Sequence, residues 1–148
     1  MKRIIILFFL CCTIPLIAQH IDPIQEAMAN YDYETALSLI AQKKTTPPLL
    51  LQKGKALRGL GLTTEALATY QEIICNDTTN TRAFIEAAEC CRALAKYNQA
   101  LKYYEHTLDL NPENKYVRIQ YISLLLSQQK FSEALGESSL MTDCLLYT

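Results

Sequence analysis

The stretch from Thr81 to Asn114 reads TRAFIEAAECCRALAKYNQALKYYEHTLDLNPEN and contains two runs of periodic apolar residues. One run extends from Ala83 to Leu94 and the other from Asn98 to Leu110. Apolar residues that return every three or four positions indicate amphipathic helices. The Asn111-Pro112 pair ends the second run, because proline lacks an N–H and disfavours a helical residue before it. The stretch therefore predicts two helices joined as a hairpin.

Small and large residues take distinct places within this stretch. The small residues Ala88 and Ala100 predict points where two helices approach closely, and the register predicts that the rings of Tyr97 and Tyr104 pack in the core around them. This pattern resembles the tetratricopeptide repeat, a helix–turn–helix unit of 34 residues. Counted from Thr81 as position 1, the positions that the family prefers as large, small, aromatic or proline hold Phe84 (4), Ala88 (8), Tyr97 (17), Ala100 (20), Tyr104 (24) and Pro112 (32). Thr107 departs from the pattern at position 27, where the family prefers alanine.

The same unit recurs along the chain. Its small residue returns at spacings of 30, 34 and 34 in Ala36, Ala66, Ala100 and Ala134. One unit before the central stretch, Gly54 takes the place of Ala88 and Tyr70 that of Tyr104. Several copies in phase predict a stacked array. The predicted fold class is all-α, an α-solenoid of stacked antiparallel helix pairs preceded by an N-terminal signal segment.

The repeat phase divides the chain into six predicted segments. These are a signal peptide at 1–18, a degenerate first helix pair at 19–46, repeats at 47–80 and 81–114, a degenerate or partial repeat at 115–141, and an atypical tail at 142–148. The clearest break is Lys43 to Pro48, where the spacing is four residues short. In the fourth unit, Arg118 and Ile122 depart from the large and small positions. The apolar tail favours either a truncated or aberrant C-terminus or a tail that folds back over the last helix.

The first 18 residues have the layout of a secretory signal peptide. Lys2-Arg3 precedes the apolar run Ile4 to Ile17, and Ala18 offers a small residue for cleavage. Fourteen residues of helix reach about 21 Å, short of the roughly 30 Å of a bilayer core. We expect cleavage near Ala18, export to the periplasm or envelope, and no membrane insertion of the mature chain. An uncleaved anchor, or a lipoprotein that uses Cys11 or Cys12, remains the alternative.

The composition is that of a globular protein. Half of the 148 residues are apolar and 20% are charged. The net charge is −1, and loss of the signal peptide leaves 12 basic and 15 acidic residues, a net charge of −3. This balance gives no electrostatic argument for a nucleic-acid partner. An oxidising compartment would permit disulfides among Cys75, Cys90, Cys91 and Cys144, but Cys90 and Cys91 fit better as small buried residues.

Residues suited to catalysis or cofactor binding are scarce. The two histidines are His20, beside the predicted cleavage site, and His106, on a predicted second helix. No histidine–cysteine spacing indicates zinc, and no glycine-rich phosphate loop follows a strand. The sequence therefore predicts a protein that is not an enzyme and that uses no cofactor and no metal.

The family resemblance implies a binding function. In tetratricopeptide proteins the first helices of the pairs line a concave surface that binds partner peptides or protein segments. Carried over by position, the candidate groove residues are Gln52, Lys55, Arg58, Arg82, Glu86, Glu89, Arg92, Tyr116, Gln120 and Ser123. The predicted function is a non-catalytic protein–protein interaction scaffold with a protein or peptide partner. Each of these residues is also compatible with an ordinary solvated helix face.

A further expectation concerns how the partner is recognised. Some family members grip a C-terminal carboxylate through an asparagine, whose position holds Lys55, Glu89 and Ser123 in successive units of this chain. Glu89 would repel a carboxylate, which argues against that mode of recognition.

The alternative function is the N-terminal sensory or regulatory repeat region of a larger, truncated envelope protein.

Overall fold

The computed structural model describes residues 22–146, with side chains described as far as Met141. The predicted signal segment and its cleavage site lie outside the described residues. Between 22 and 146 the chain forms helices and no strand: α1 Pro23–Ala29, α2 Tyr33–Ala41, α3 Pro47–Gly59, α4 Thr63–Asn76, α5 Thr81–Ala93, α6 Tyr97–Leu110, α7 Lys115–Ser127 and α8 Phe131–Leu146. The predicted all-α class is confirmed.

The helices stack in chain order. Each packs mainly against the helix before it and the helix after it, which is the nearest-neighbour pattern of a solenoid. The core runs along the stack from Leu50 on α3 to Ala134 on α8. None of the helices between residues 22 and 146 is long and apolar enough to cross a membrane.

Asparagine caps set where two of the first helices begin. The side chain of Asn80 accepts a hydrogen bond from the N–H of Ala83 at 3.1 Å, and Asn114 accepts from Val117 at 3.1 Å. Both caps satisfy backbone donors that the first turn of a helix leaves unpaired. The two caps are one repeat apart, so the same local chemistry starts α5 and α7.

A left-handed residue makes the turn inside each pair. Gly61 has φ of 78°, and the same place in the other pairs is taken by Tyr31 (60°), Ala95 (55°) and Gln129 (60°). Only glycine adopts this conformation without a steric cost from Cβ. The turn geometry is therefore shared by all four pairs, and three of them hold it with a strained residue.

The predicted small residues lie between neighbouring helices, as the repeat register requires. Ala66, Ala88 and Ala100 have no solvent exposure, and Gly54 is buried. A Cβ placed on Gly54 would lie 2.5 Å from two ring atoms of Tyr70, so only glycine leaves room for that ring. These contacts confirm that close helix packing, and not loop formation, explains the glycine.

The aromatic residues divide into two groups. Tyr70 and Tyr104 are fully buried, as the register predicts. The prediction that Tyr97 packs in the core is wrong, because this ring is 38% exposed, and Phe131, which has the same register in the fourth pair, is 64% exposed. Each is the first residue of its helix, immediately after the turn, where the ring reaches the surface.

The fourth pair accommodates its departures from the pattern by polar pairing. Arg118 is 9% exposed, forms an ion pair with Glu137 and donates to the Pro112 carbonyl at 2.8 Å. These partners allow a charge to occupy a position that is apolar in the preceding repeat. The backbone of α8 continues to Leu146, beyond the expected end at Met141, because no proline or glycine follows Gly136.

The cysteine side chains on α5 agree with the prediction that Cys90 and Cys91 are small buried residues. Cys90 and Cys91 are fully buried free thiols on α5, and Cys75 is an exposed free thiol. Burial raises the pKa of Cys90 to about 11, which keeps the thiol protonated at neutral pH. Cys144 lies outside the residues whose side chains are described.

Candidate functional site

Two adjoining depressions lie on the face formed by α3, α5 and α7, and together we call them the groove. One has a volume of about 300 Å³ and the other about 400 Å³. The smaller is lined by Arg58, Thr81, Arg82, Ile85, Glu86, Glu89 and Tyr116. The larger is lined by Glu89, Arg92, Ala93, Tyr97, Ser123, Leu124 and Ser127. Glu89 lines both, so the two depressions form one continuous surface.

Seven of the ten predicted groove residues line these depressions. Of the other three, one is bonded to a lining residue and two lie outside the groove. Gln120 lies on α7 and accepts a hydrogen bond from Arg92 at 2.6 Å. Gln52 and Lys55 are half-buried on α3 and line neither depression. The structure thus brings the predicted residues of the third and fourth units together with Arg58 of the second unit. The other two predicted residues on α3, Gln52 and Lys55, lie outside the groove.

Arginines connect successive first helices along the groove. Arg58 Nη1 lies 2.8 Å from Glu86 Oε2, which joins α3 to α5. Arg92 Nη1 donates to Gln120 Oε1 at 2.6 Å, which joins α5 to α7. Each arginine reaches a residue 28 positions further along, so both occupy the same register. This repeated link positions the side chains of three units relative to one another.

Glu89 is held at the centre of the groove by a buried tyrosine. The Tyr104 hydroxyl donates to Glu89 Oε1 at 2.6 Å, and Arg92 Nη1 lies 3.7 Å from the same oxygen. Burial raises the pKa of Tyr104, and the hydrogen bond to the carboxylate raises it further. The Tyr104 hydroxyl therefore stays protonated and remains a hydrogen-bond donor at physiological pH. The carboxylate of Glu89 lies where the two depressions meet, and only its Oε1 has these two partners.

The groove carries a small excess of positive charge. Its lining includes three arginines against the carboxylates of Glu86 and Glu89. Arg58 and Arg92 lie beside those carboxylates, whereas Arg82 makes no hydrogen bond or ion pair within the part of the chain that the structure describes. Arg82 is exposed on the first turn of α5 and is therefore the cation most accessible to an incoming acidic group.

Two exposed rings border the groove. Tyr116 is 56% exposed and lines the smaller depression, and Tyr97 is 38% exposed and lines the larger. Rings that combine an apolar body with a polar tip are common at protein interfaces. Sequence reasoning identified Tyr116 but assigned Tyr97 to the core. One sequence signal could have predicted that Tyr97 borders the groove. Tyr97 comes directly after the turn that follows α5, so it lies close to the groove residues at the end of α5.

The polar groups of the groove are suited to binding. Guanidinium, carboxylate, amide and hydroxyl groups there can donate and accept hydrogen bonds along a bound chain. His106 lies elsewhere, where its Nε2 is 3.1 Å from the Thr78 carbonyl and its ring lies 4.3 Å from that of Phe84. Among the side chains of residues 22–141, no three His, Cys, Asp or Glu are grouped to hold a metal.

Comparison with known proteins gives one family match and several structures of similar fold. Residues 81–114 match the family model described as tetratricopeptide repeat. A comparison with curated proteins returned no match. Among solved structures, a tetratricopeptide repeat protein from Parabacteroides merdae ATCC 43184 superposes with a TM-score of 0.76 at 20% identity, over 82% of this chain and 50% of that protein.

Two further structures are similar in fold. MamA superposes with a TM-score of 0.72 at 15% identity, over 82% of this chain and 73% of MamA. The first tetratricopeptide repeat domain of Spaghetti (RPAP3), bound to the HSP90 peptide SRMEEVD, gives a TM-score of 0.67 at 18% identity, over 72% of this chain and 87% of that domain. At these identities the likeness is one of fold.

Proposed function

The chain is a tetratricopeptide repeat protein, and from this premise we propose that it is a non-catalytic scaffold whose groove binds a segment of another protein. The single observation that carries the proposal is that residues from three successive first helices meet at the groove, where Arg58 and Arg92 link each helix to the next. The RPAP3 domain of the same fold holds a peptide, which supports peptide binding as a use of this architecture.

The groove chemistry indicates the kind of segment that fits. Arg82 offers an accessible guanidinium to an acidic side chain, and Glu89 offers a carboxylate oxygen to a basic one. Tyr97 and Tyr116 offer ring faces to apolar side chains. A partner segment that carries both charges and at least one apolar residue would use all three features, and it would bury the Tyr116 ring.

An interaction experiment with matched variants tests the proposal. Affinity capture from an envelope fraction would compare the protein with an Arg82→Glu, Tyr116→Ala double variant. Lys102→Glu is the control, because Lys102 is an exposed cation on α6 that lines neither depression. Loss of the same partner from the double variant, with retention by the control, supports the groove. Equal recovery by all three proteins would count against it.

Export of the protein is part of the proposal. The layout of Met1 to Ala18 supports passage to the periplasm or envelope with cleavage near Ala18. Fractionation of cells followed by N-terminal sequencing of the mature protein tests this. A first residue at or near Gln19 in the exported fraction is expected, and an intact Met1 in the cytoplasmic fraction would contradict export.

A second candidate function is a regulatory repeat region within a larger protein. It is favoured by Leu135, which is 72% exposed although the equivalent residues Leu67 and Leu101 are 4% and 7% exposed. In the inner units this position belongs to the core that runs along the stack. Sequencing the locus beyond the codon for Thr148 decides the matter, since an in-frame continuation supports this candidate and a stop codon refutes it.

A further inference from the structure

A third depression lies between α2 and α3, away from the groove. It has a volume of about 290 Å³. Its walls are mainly apolar and come from Leu37, Ile40, Leu49, Leu50 and Leu57. The charged side chains at its edge are those of Lys43 and Lys53, and no carboxylate belongs to its lining. The cavity is thus apolar inside and positively charged at the rim.

The cavity arises because α2 is short. Helix α2 has 9 residues, whereas the corresponding helices α4 and α6 have 14. Seven residues after the repeat alanine, the second unit places Ile73, which is 1% exposed, in the core. In the first unit that register falls on Lys43, beyond the end of α2. A lysine in the connector therefore stands where an apolar residue fills the next interface.

The wall of the cavity that α3 forms also has a lysine where the next interface has a small apolar residue. Lys53 on α3 has the register of Ala87 on α5, which has no solvent exposure. Leu49 and Leu50 take the places of Ala83 and Phe84, yet Leu49 remains half-buried. The first interface between pairs is consequently less filled than the second, with two lysine stems at the entrance to an apolar space.

We propose that this cavity binds a medium-chain fatty carboxylate, with the alkyl chain against the leucines and the carboxylate at Lys53. The size follows from the volume, since an apolar cavity of about 150 Å³ holds one benzene, or six carbon atoms. A cavity of about 290 Å³ accordingly holds roughly twelve non-hydrogen atoms, which is the size of decanoate.

The rim charge decides the ligand class. Lys43 Nζ forms an ion pair with Asp22 at 3.1 Å, so its charge is already compensated. Lys53 makes no hydrogen bond or ion pair to any residue that the structure describes, and its ammonium is exposed next to the apolar wall. A carboxylate at the end of an alkyl chain would pair with Lys53 without leaving a buried charge.

Calorimetric titration of the purified full chain with a homologous series of carboxylates tests the proposal. From hexanoate to decanoate the affinity should rise by about fourfold for each added methylene, the value for full burial of that group, and then level off at dodecanoate as the cavity fills. Decyltrimethylammonium, which has the same chain and the opposite charge, should bind at least tenfold more weakly than decanoate. An affinity that does not depend on chain length, or equal binding of both charges, would overturn the proposal.

Two variants locate the site. Lys53→Gln should weaken decanoate binding by about threefold to fivefold, as expected for a solvent-accessible ion pair, while Lys102→Gln on α6 should leave it unchanged. Leu49→Trp should fill the cavity and abolish binding while the thermal unfolding transition is retained. Undiminished binding by a folded Leu49→Trp protein would also overturn the assignment.

Discussion

The clearest test of the buried polar structure compares two tyrosines at the same register. Tyr70 and Tyr104 are both fully buried, 34 residues apart on α4 and α6. The Tyr104 hydroxyl donates to Glu89 at 2.6 Å, whereas the Tyr70 hydroxyl has no hydrogen-bond partner within the described residues. The same change, tyrosine to phenylalanine, therefore removes a charge-assisted hydrogen bond at one site and an unpaired polar group at the other.

The expected free energies of unfolding follow from this difference. A hydrogen bond to a charged group contributes about 1.5–3 kcal/mol, and the lower end applies here because the Glu89 side chain is 24% exposed and water replaces part of the interaction. Tyr104→Phe should thus destabilise the fold by about 1.5 kcal/mol. Tyr70→Phe should be neutral or stabilise it by up to about 1 kcal/mol, since it removes a buried hydroxyl without a partner.

Urea unfolding followed by circular dichroism measures both values. The difference between the two variants should be about 2 kcal/mol, with unchanged slopes of free energy against urea concentration, so that the change is one of stability. In thermal unfolding, Tyr104→Phe should lower Tm by about 5 °C. Equal destabilisation by the two variants, or a larger loss for Tyr70→Phe, would refute the assignment of the Tyr104–Glu89 bond.

Three further predictions concern packing, the turns and pH. Gly54→Ala should destabilise the fold by about 1–2 kcal/mol in urea, because the new Cβ meets the ring of Tyr70. Gly136→Ala should stabilise it by up to about 1 kcal/mol, because the new Cβ meets no atom beyond its chain neighbours and its own helix backbone within 4 Å. Ala95→Gly should raise stability by about 0.5–1 kcal/mol, since relief of the left-handed strain exceeds the entropy cost of glycine, and an unchanged urea midpoint would contradict the strain. The pKa values of Cys90 and Tyr104 are raised in the folded state, so the folded protein holds these protons more tightly than the unfolded chain does. The free energy of unfolding should therefore be constant below pH about 9 and should fall as the pH rises through about 11. Urea midpoints measured across this pH range check the prediction.

The repeat register predicted the parts of the fold that depend on local periodicity. The spacing of Ala66 and Ala100 placed them between helices, and both are buried. Register assigns each residue to a face of its helix, and this is sufficient to recognise the core of a repeating unit. It was not sufficient for Tyr97, because whether a ring at the start of a helix turns inward depends on the geometry of the preceding turn.

The connections between units could not be predicted from one unit's sequence. The links from Arg58 to Glu86 and from Arg92 to Gln120 depend on how far each pair is rotated relative to the next, which the packed side chains determine together. The cavity beside Lys53 depends in turn on where α2 ends. The sequence showed a four-residue shortfall in this region, but only the structure shows that the shortfall leaves a space.

The central claim is that the face formed by α3, α5 and α7 is the binding surface. Hydrogen exchange measured by mass spectrometry, with and without a protein partner identified by affinity capture, tests it most directly. Binding should slow exchange in residues 81–93 and 115–127 and around Arg58, and should leave residues 63–76 and 98–110 unchanged. Slower exchange confined to residues 63–76 and 98–110 would contradict the account.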